Sequence, residues 1–266
     1  MNGVGRIQIA LAILVALFLL MPLIAVVPVS FTPKRFLSMP DGDWSLTHYR
    51  SLLIEPEWRE SLFLSLRVGV LAGGLATMLG LLFSLGIWMT RPRFGGAMLG
   101  LALLPMVAPP VVSALTLYFF LNRLGQTNGL VAYDTWLGVV LAHTVMVMPF
   151  AVVVIMVSLT QVDRRMDMAA QAMGASLWER IWYVILPNIR FGVGSAFFLC
   201  FALSWEEIGV TLFITSVEAI TLPRRMWMGL RDNIDPAIAA LSVVLIAIVV
   251  TVILIRTFLL LRRDQR

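Results

Sequence analysis

Two adjacent carboxylates, Glu206 and Glu207, stand in an otherwise apolar run beside Trp205. A charged side chain in hydrocarbon costs about 2.5–3.5 kcal/mol on insertion scales, so such a residue faces a protein interior or a water-filled cavity. Neighbours on a continuous helix point about 100° apart. One of the pair can therefore line a path for a cationic solute, while the other meets an adjacent helix or stays protonated through desolvation. An interhelical hydrogen bond is the purely structural alternative. Trp205 and Tyr118 can supply cation–π surface to such a path, or simply pack as aromatics. His143, in a different apolar run, is either a proton relay or a hydrogen-bonded structural histidine.

Other chemistries lack their residues. No phosphate-cradling glycine loop, zinc-ligand cluster or nucleophile–base arrangement is present. The chain is therefore expected to bind no cofactor or metal, and not to hydrolyse ATP itself. The single cysteine, Cys200, allows no intramolecular disulfide and reads as a small residue in a packed helix. A net charge of +5 and a pI near 10.1 are compatible with nucleic-acid binding. However, all basic residues but Lys34 are arginines, and most sit in short connections between apolar blocks. That is how charge orients a membrane protein.

The elements that must position these residues are membrane helices. Of 266 residues, 60% are hydrophobic and 13% charged, and mean hydropathy is +0.92. Soluble domains carry roughly 25% charged residues. The apolar residues come in blocks of about 20, enough to cross a hydrocarbon core about 30 Å thick. There every backbone polar group must be bonded internally, so the blocks are helices. The pattern predicts one all-α transmembrane domain over 1–266, with six spans near 7–31, 62–90, 96–121, 136–158, 191–215 and 237–261. The first apolar stretch is too long for a signal-peptide core and reads as an uncleaved span. Six spans put both termini on one side. Arg91-Pro92-Arg93 and the tail with Arg262, Arg263 and Arg266 crowd against span ends, which favours the cytoplasmic side for both.

The connection of residues 32–61 holds a possible surface helix, since Leu46, Tyr49, Leu52 and Leu53 recur at helical spacing. Pro105, Pro109 and Pro110 interrupt the third span, where the missing donors must kink or break the helix. Such breaks border the pathway in many transporters. The connection of residues 216–236 carries Arg224, Arg225, Trp227 and Arg231-Asp232. It reads as a solvated connector.

The connection between spans four and five, about 163–190, is unusually long for so compact a chain. Asp163 or Asp167 can cap a helix through Met168–Met173. Gly174 can turn at positive φ. Ser176 with Glu179 forms a capping-box pattern for a second helix with Trp178, Ile181, Trp182 and Ile185 on one side. Pro187 is expected to end or kink that helix. Two short helices joined at a glycine are either an amphipathic hairpin on the inner leaflet or a docking element for a cytosolic partner.

Ala169-Ala170, Gly174-Ala175 and, with nine residues intervening after Gly174, Val184-Ile185-Leu186-Pro187 resemble the "EAA" signature of type I ATP-binding-cassette importer permeases. The resemblance implies six transmembrane helices and a cytoplasmic coupling helix seated in a cleft of an ATPase subunit. Met168 stands where the family usually has Glu, with Asp167 one residue earlier. The segments 141–150, 203–214, 221–227 and 234–242 are similar to the spermidine/putrescine permease subfamily, in the second permease of its pair. That implies a bacterial inner-membrane complex with a second homologous permease, two ATPase subunits that bind the ATP, and a periplasmic binding protein. It also implies polyamine cargo, with acidic residues at Glu206 and Glu207. Phosphonate, iron, thiamine or amino-acid-like solutes are alternatives within the same class. An autonomous ion-coupled transporter would have more spans or an inverted repeat, and a membrane-embedded enzyme would need catalytic residues beyond the two glutamates.

Overall fold

The computed structural model describes residues 5–232 and 234–264, and every regular element in them is helical. The helices are α1 (Arg6–Val29), α2 (Thr47–Ile54), α3 (Pro56–Thr90), α4 (Gly95–Ala102), α5 (Leu104–Val107), α6 (Pro110–Gly125), α7 (Trp136–Thr160) and α8 (Arg164–Ala172). They continue as α9 (Leu177–Glu179), a π-helical turn (Arg180–Ile185), α10 (Leu186–Glu206), α11 (Thr211–Ile214), α12 (Leu222–Asp232) and α13 (Ala237–Asp264). Arg266, counted above in the basic tail, lies outside the described residues.

Among the described residues, five helical runs are long and apolar enough to cross a membrane: Ile7–Val29, Pro56–Thr90, Trp136–Thr160, Leu177–Glu206 and Ala237–Arg262. The third predicted span, 96–121, is not one helix. Pro105 and Pro109-Pro110 divide it into α4, α5 and α6, and Ala108 and Pro109 are extended with ψ of 137° and 133°. Three span boundaries also differ from expectation. The second helix begins at Pro56 rather than near 62, because proline suits a first helical position and Glu57 favours the helix N-terminus. The fifth begins at Leu177 rather than 191 and stops at Glu206 rather than 215.

The described residues fall into two compact units, one of 5–60 with 225–264 and one of 61–224. In the first, α13 packs on α1 and α2. The anticipated surface helix forms as α2, and Tyr49 on it donates or accepts a 2.6 Å hydrogen bond with Ser30 Oγ.

The second unit is organised on α3 and α7. One core cluster joins Ala76, Leu85 and Trp88 of α3 to Val147, Ala151, Ile155 and Leu159 of α7, with Ile185, Ile189, Ala196 and Cys200 from the fifth span. A second joins Val68 and Ala72 to Leu117 and Leu121 of α6, Val139 and Val140 of α7, and Val210 and Ile214. Lipid tails are as apolar as leucine, so membrane helices associate through close packing rather than water exclusion. Gly192 illustrates this on α10, since a Cβ there would collide with Ser158 Oγ of α7. Cys200 is buried, and its thiol donates to the Val147 carbonyl at 3.3 Å.

Candidate functional site

The fifth span ends in a break. Glu206 closes α10, Glu207 turns extended with ψ 113°, and the chain re-enters a helix only at Thr211. Glu207 stabilises that break itself. Its Oε1 accepts from Val210 N at 2.8 Å, and its carbonyl accepts from Thr211 Oγ1 at 3.0 Å. The two carboxylates therefore sit at a helix terminus and not mid-span as the sequence reading had them, so the angular separation of helical neighbours does not apply.

This break faces the one between α5 and α6. A Cβ on Gly209 would lie 3.4 Å from Glu207 Oε1 and 3.8 Å from Pro110 Cβ. Around the junction is a cavity of about 260 Å³ lined by Pro105, Met106 and Pro110 on one side, Met146 and Phe150 of α7 on another, and Glu206 and Glu207 on the third. Glu206 is exposed and Glu207 half-buried. The lining carries two carboxylates and no basic residue. Of the four pathway candidates, the structure brings these two together. Trp205 instead packs on Phe201, ring centroids 6.0 Å apart, and Tyr118 meets Tyr133 edge-on at 5.4 Å. Neither lines the cavity.

His143 is the residue that ties the break down. It is buried on α7, with Nδ1 2.8 Å from Ser204 Oγ and Nε2 2.8 Å from Thr211 Oγ1. One hydroxyl precedes the break and the other follows it, so the ring spans the gap. Sequence reasoning left His143 between two roles and missed both hydroxyls. The available signal was that a buried imidazole needs partners for both nitrogens.

Asp134 was missed altogether. It adopts φ +57°, a conformation that short Asx side chains tolerate. Its carboxylate accepts from the backbone N–H groups of Ser216, Val217, Glu218 and Ala219 at 2.7–3.2 Å. Burial raises its pKa, but these four donors outweigh burial and leave it below the ordinary carboxylate value. Arg224 donates to the carbonyls of Thr211 at 3.4 Å and Ser216 at 3.1 Å, fixing the same segment.

At the other end of α7 the residues of the 163–190 connection form a knob. Asp163 caps α8 by accepting from Arg165 N at 2.9 Å. Asp167 does not cap. It takes a two-pronged hydrogen bond from Arg180, Nε to Oδ1 at 2.8 Å and Nη2 to Oδ2 at 2.7 Å. α8 ends in a Schellman motif. Gly174 has φ +86°, its N–H donates to Gln171 O at 3.0 Å, and Ala175 N donates to Ala170 O at 3.1 Å. Ser176 and Glu179 close the expected capping box.

Beyond it the second helix is not separate, and of the two outcomes expected at Pro187, an end or a kink, the helix does not end there. A π turn over Arg180–Ile185 carries the helix past Pro187 and into α10. A wider turn absorbs the lost N–H and the ring of a proline without breaking the run. It also shifts the register, so the predicted apolar stripe splits. Ile181 and Ile185 turn inward, whereas Trp178 and Trp182 are exposed. On α8, Asp167 and Ala170 are buried while Met168 and Ala169 face out. Leu186 is half-buried and Pro187 exposed.

A multi-pass helical protein whose spans break around an acidic cavity, with a capped knob at the far end of the bundle, has the architecture of a transport permease. The chain belongs to the family of binding-protein-dependent transport system inner membrane components, whose model matches residues 76–266. It is 28% identical over 252 residues to the putrescine transport system permease protein PotI of Escherichia coli K12, covering 94% of this chain and 89% of that one. It is also 28% identical over 232 residues to the spermidine/putrescine permease PotC of Haemophilus influenzae, covering 87% of each. A probable molybdenum ABC transporter permease of Haloferax volcanii is 33% identical over 193 residues, 70% of this chain and 71% of that one. A bacterial ABC transporter involved in import of the acidic polysaccharide alginate superposes with a TM-score of 0.68 over 97% of this chain and 98% of its own, at 14% identity. The fold is that of type I importer permeases.

Proposed function

We propose that this chain is one of two homologous permeases of an ATP-driven importer for polyamines, with both termini cytoplasmic. The observation that carries the cargo assignment is the acidic cavity at the paired breaks. Glu206 and Glu207 face each other's surroundings in a lining without cations, which suits a weak, transient station for an amine. The polyamine permeases among the relatives support the same reading. The molybdenum permease favours a different cargo, yet an anion would meet two carboxylates and no compensating base in this cavity.

The knob is the ATPase-coupling element of this reading. Its working parts are Asp167, Met168, Ala169, Ala170, Gly174, Ala175, Leu186 and Pro187, seated in a cleft of one of two separate ATPase subunits that bind the ATP. A periplasmic binding protein delivers the solute to the opposite face, and lipids surround the spans. ATP hydrolysis rocks the knob as a rigid body, and the paired breaks respond as the gate. The test is coexpression with the candidate ATPase, partner permease and binding protein, followed by ATP-dependent uptake of labelled putrescine and spermidine into proteoliposomes. Failure of the ATPase to copurify overturns the importer assignment; a working complex indifferent to both polyamines overturns the cargo.

A further inference from the structure

A second cavity, of about 700 Å³, opens where α3 and α7 leave the bilayer, bounded also by the starts of α4 and α8. Its walls are apolar, formed by Ile87, Leu99, Met156 and Leu159, and its rim carries Arg91 and Arg164 with the Asp163 carboxylate beside them. Arg91 sits at φ +46°, a conformation that long side chains rarely adopt, in the tight turn between α3 and α4. Arg164 lies over the Trp88 ring, 4.6 Å from its centroid. Among the described residues neither guanidinium forms an ion pair. The nearby acids are committed elsewhere, Asp163 to the Arg165 amide and Asp167 to Arg180. Burial first, and then the like charge of Arg91, hold the Arg164 guanidinium below its usual pKa, with Asp167 partly offsetting them. Two cations are thus held together above an apolar chamber, and neither is paired with the single carboxylate on its rim.

We propose that this cavity binds one anionic phospholipid, its phosphate bridging Arg91 and Arg164 and an acyl chain lying along Ile87, Leu99, Met156 and Leu159. Guanidinium forks match phosphate oxygens in geometry and charge. A basic rim over an apolar wall at the level where spans end is where a lipid presents its head and tail together. The site joins the ends of α3 and α7 to Arg164, the first residue of α8, and it requires neither the polyamine cargo nor the coupling role of the knob.

Native mass spectrometry of the full transporter complex in mixed micelles of phosphatidylglycerol and phosphatidylcholine tests it. One tightly held phosphatidylglycerol per copy of this chain is expected, with phosphatidylcholine lost. Arg164→Gln and Arg91→Asn, the latter chosen because Asn tolerates positive φ, each weaken retention about tenfold, the effect of losing about 1.4 kcal/mol. Gly96→Leu leaves the charges alone. Gly96 lines the cavity with open space where a Cβ would go, so the leucine fills the acyl slot and retention falls likewise. Because Gly96 displaces no packed atom, it decides the matter if an arginine variant misfolds. Equal retention of the two lipids overturns the proposal, as does undiminished phosphatidylglycerol in Gly96→Leu. Displacement of the lipid by millimolar inorganic phosphate also overturns it, since the site would then be one for free phosphate.

Discussion

Arg180 grips Asp167 through both oxygens across 13 residues, from the π turn back to the first turn of α8, and both side chains are largely buried. This clasp holds α8 against the base of the fifth span. The acid adjacent to Met168 is therefore turned inward, and the surface offered at that point is the Met168 thioether, 57% exposed.

Loosening the clasp should separate hydrolysis from transport. Hydrogen bonds to charged groups are worth roughly 1.5–3 kcal/mol, more where the partner is left buried and unpaired. Asp167→Asn and Arg180→Gln are each expected to destabilise the knob by about 1–3 kcal/mol. The double variant should cost less than the two singles added together, a coupling readable in a double-mutant cycle of thermal unfolding. In the assembled complex, uptake per ATP hydrolysed should fall. Strict additivity with unchanged uptake would count against the clasp.

Met168→Glu asks a different question. The side chain is exposed, so the fold should tolerate the change within about 0.5 kcal/mol. Binding to the ATPase partner should weaken, because a cleft complementary to a thioether must then desolvate a carboxylate. Tighter copurification would show that the cleft has kept a donor for the acid.

At Gly174 the demand is on the backbone. A side chain at φ +86° is strained, so Gly174→Ala should cost about 1 kcal/mol. Gly174→Pro cannot adopt that φ and also loses the N–H to Gln171. It should abolish coupled transport while the spans still insert; transport surviving the proline variant refutes a coupling role for this turn.

The acidic cavity is tested by charge removal at constant shape. Glu206→Gln should lower polyamine uptake with assembly intact. Glu207→Gln should do the same, and its amide oxygen can still accept from Val210 N. His143→Ala frees Ser204 and Thr211 on both sides of the break and should reduce thermal stability by about 1–3 kcal/mol. Uptake indifferent to both glutamine variants removes the cavity from the pathway.

Acid should release the Asp134 strap. Its folded pKa is depressed, so its contribution is fully present above the unfolded value of about 3.9 and disappears as pH falls through the lower folded value. Protection of the amides at residues 216–219, relative to their intrinsic exchange rates, should therefore fall below about pH 4, and Asp134→Ala should show the low protection at neutral pH. Protection that stays constant through this pH range in the wild-type chain contradicts this.

Hydropathy, span order, the capping box at Ser176 and the glycine turn at 174 were readable because each is set by contacts within a few residues, or by the bilayer's demand that backbone groups pair locally. The prolines of the third span announced a break in the same way. The Asp167–Arg180 clasp, the His143 bridge between Ser204 and Thr211, and the Asp134 strap join residues 13 to 85 positions apart. No local preference encodes which distant partner a buried polar group will find. The end of α10 at Glu206 was hidden too, because an apolar run reads the same whether or not its backbone stays helical. Only the packing of α10 beside Pro110 and α7 decided that the glutamates cap a broken helix and share one cavity, since that cavity exists only between elements brought together by the fold.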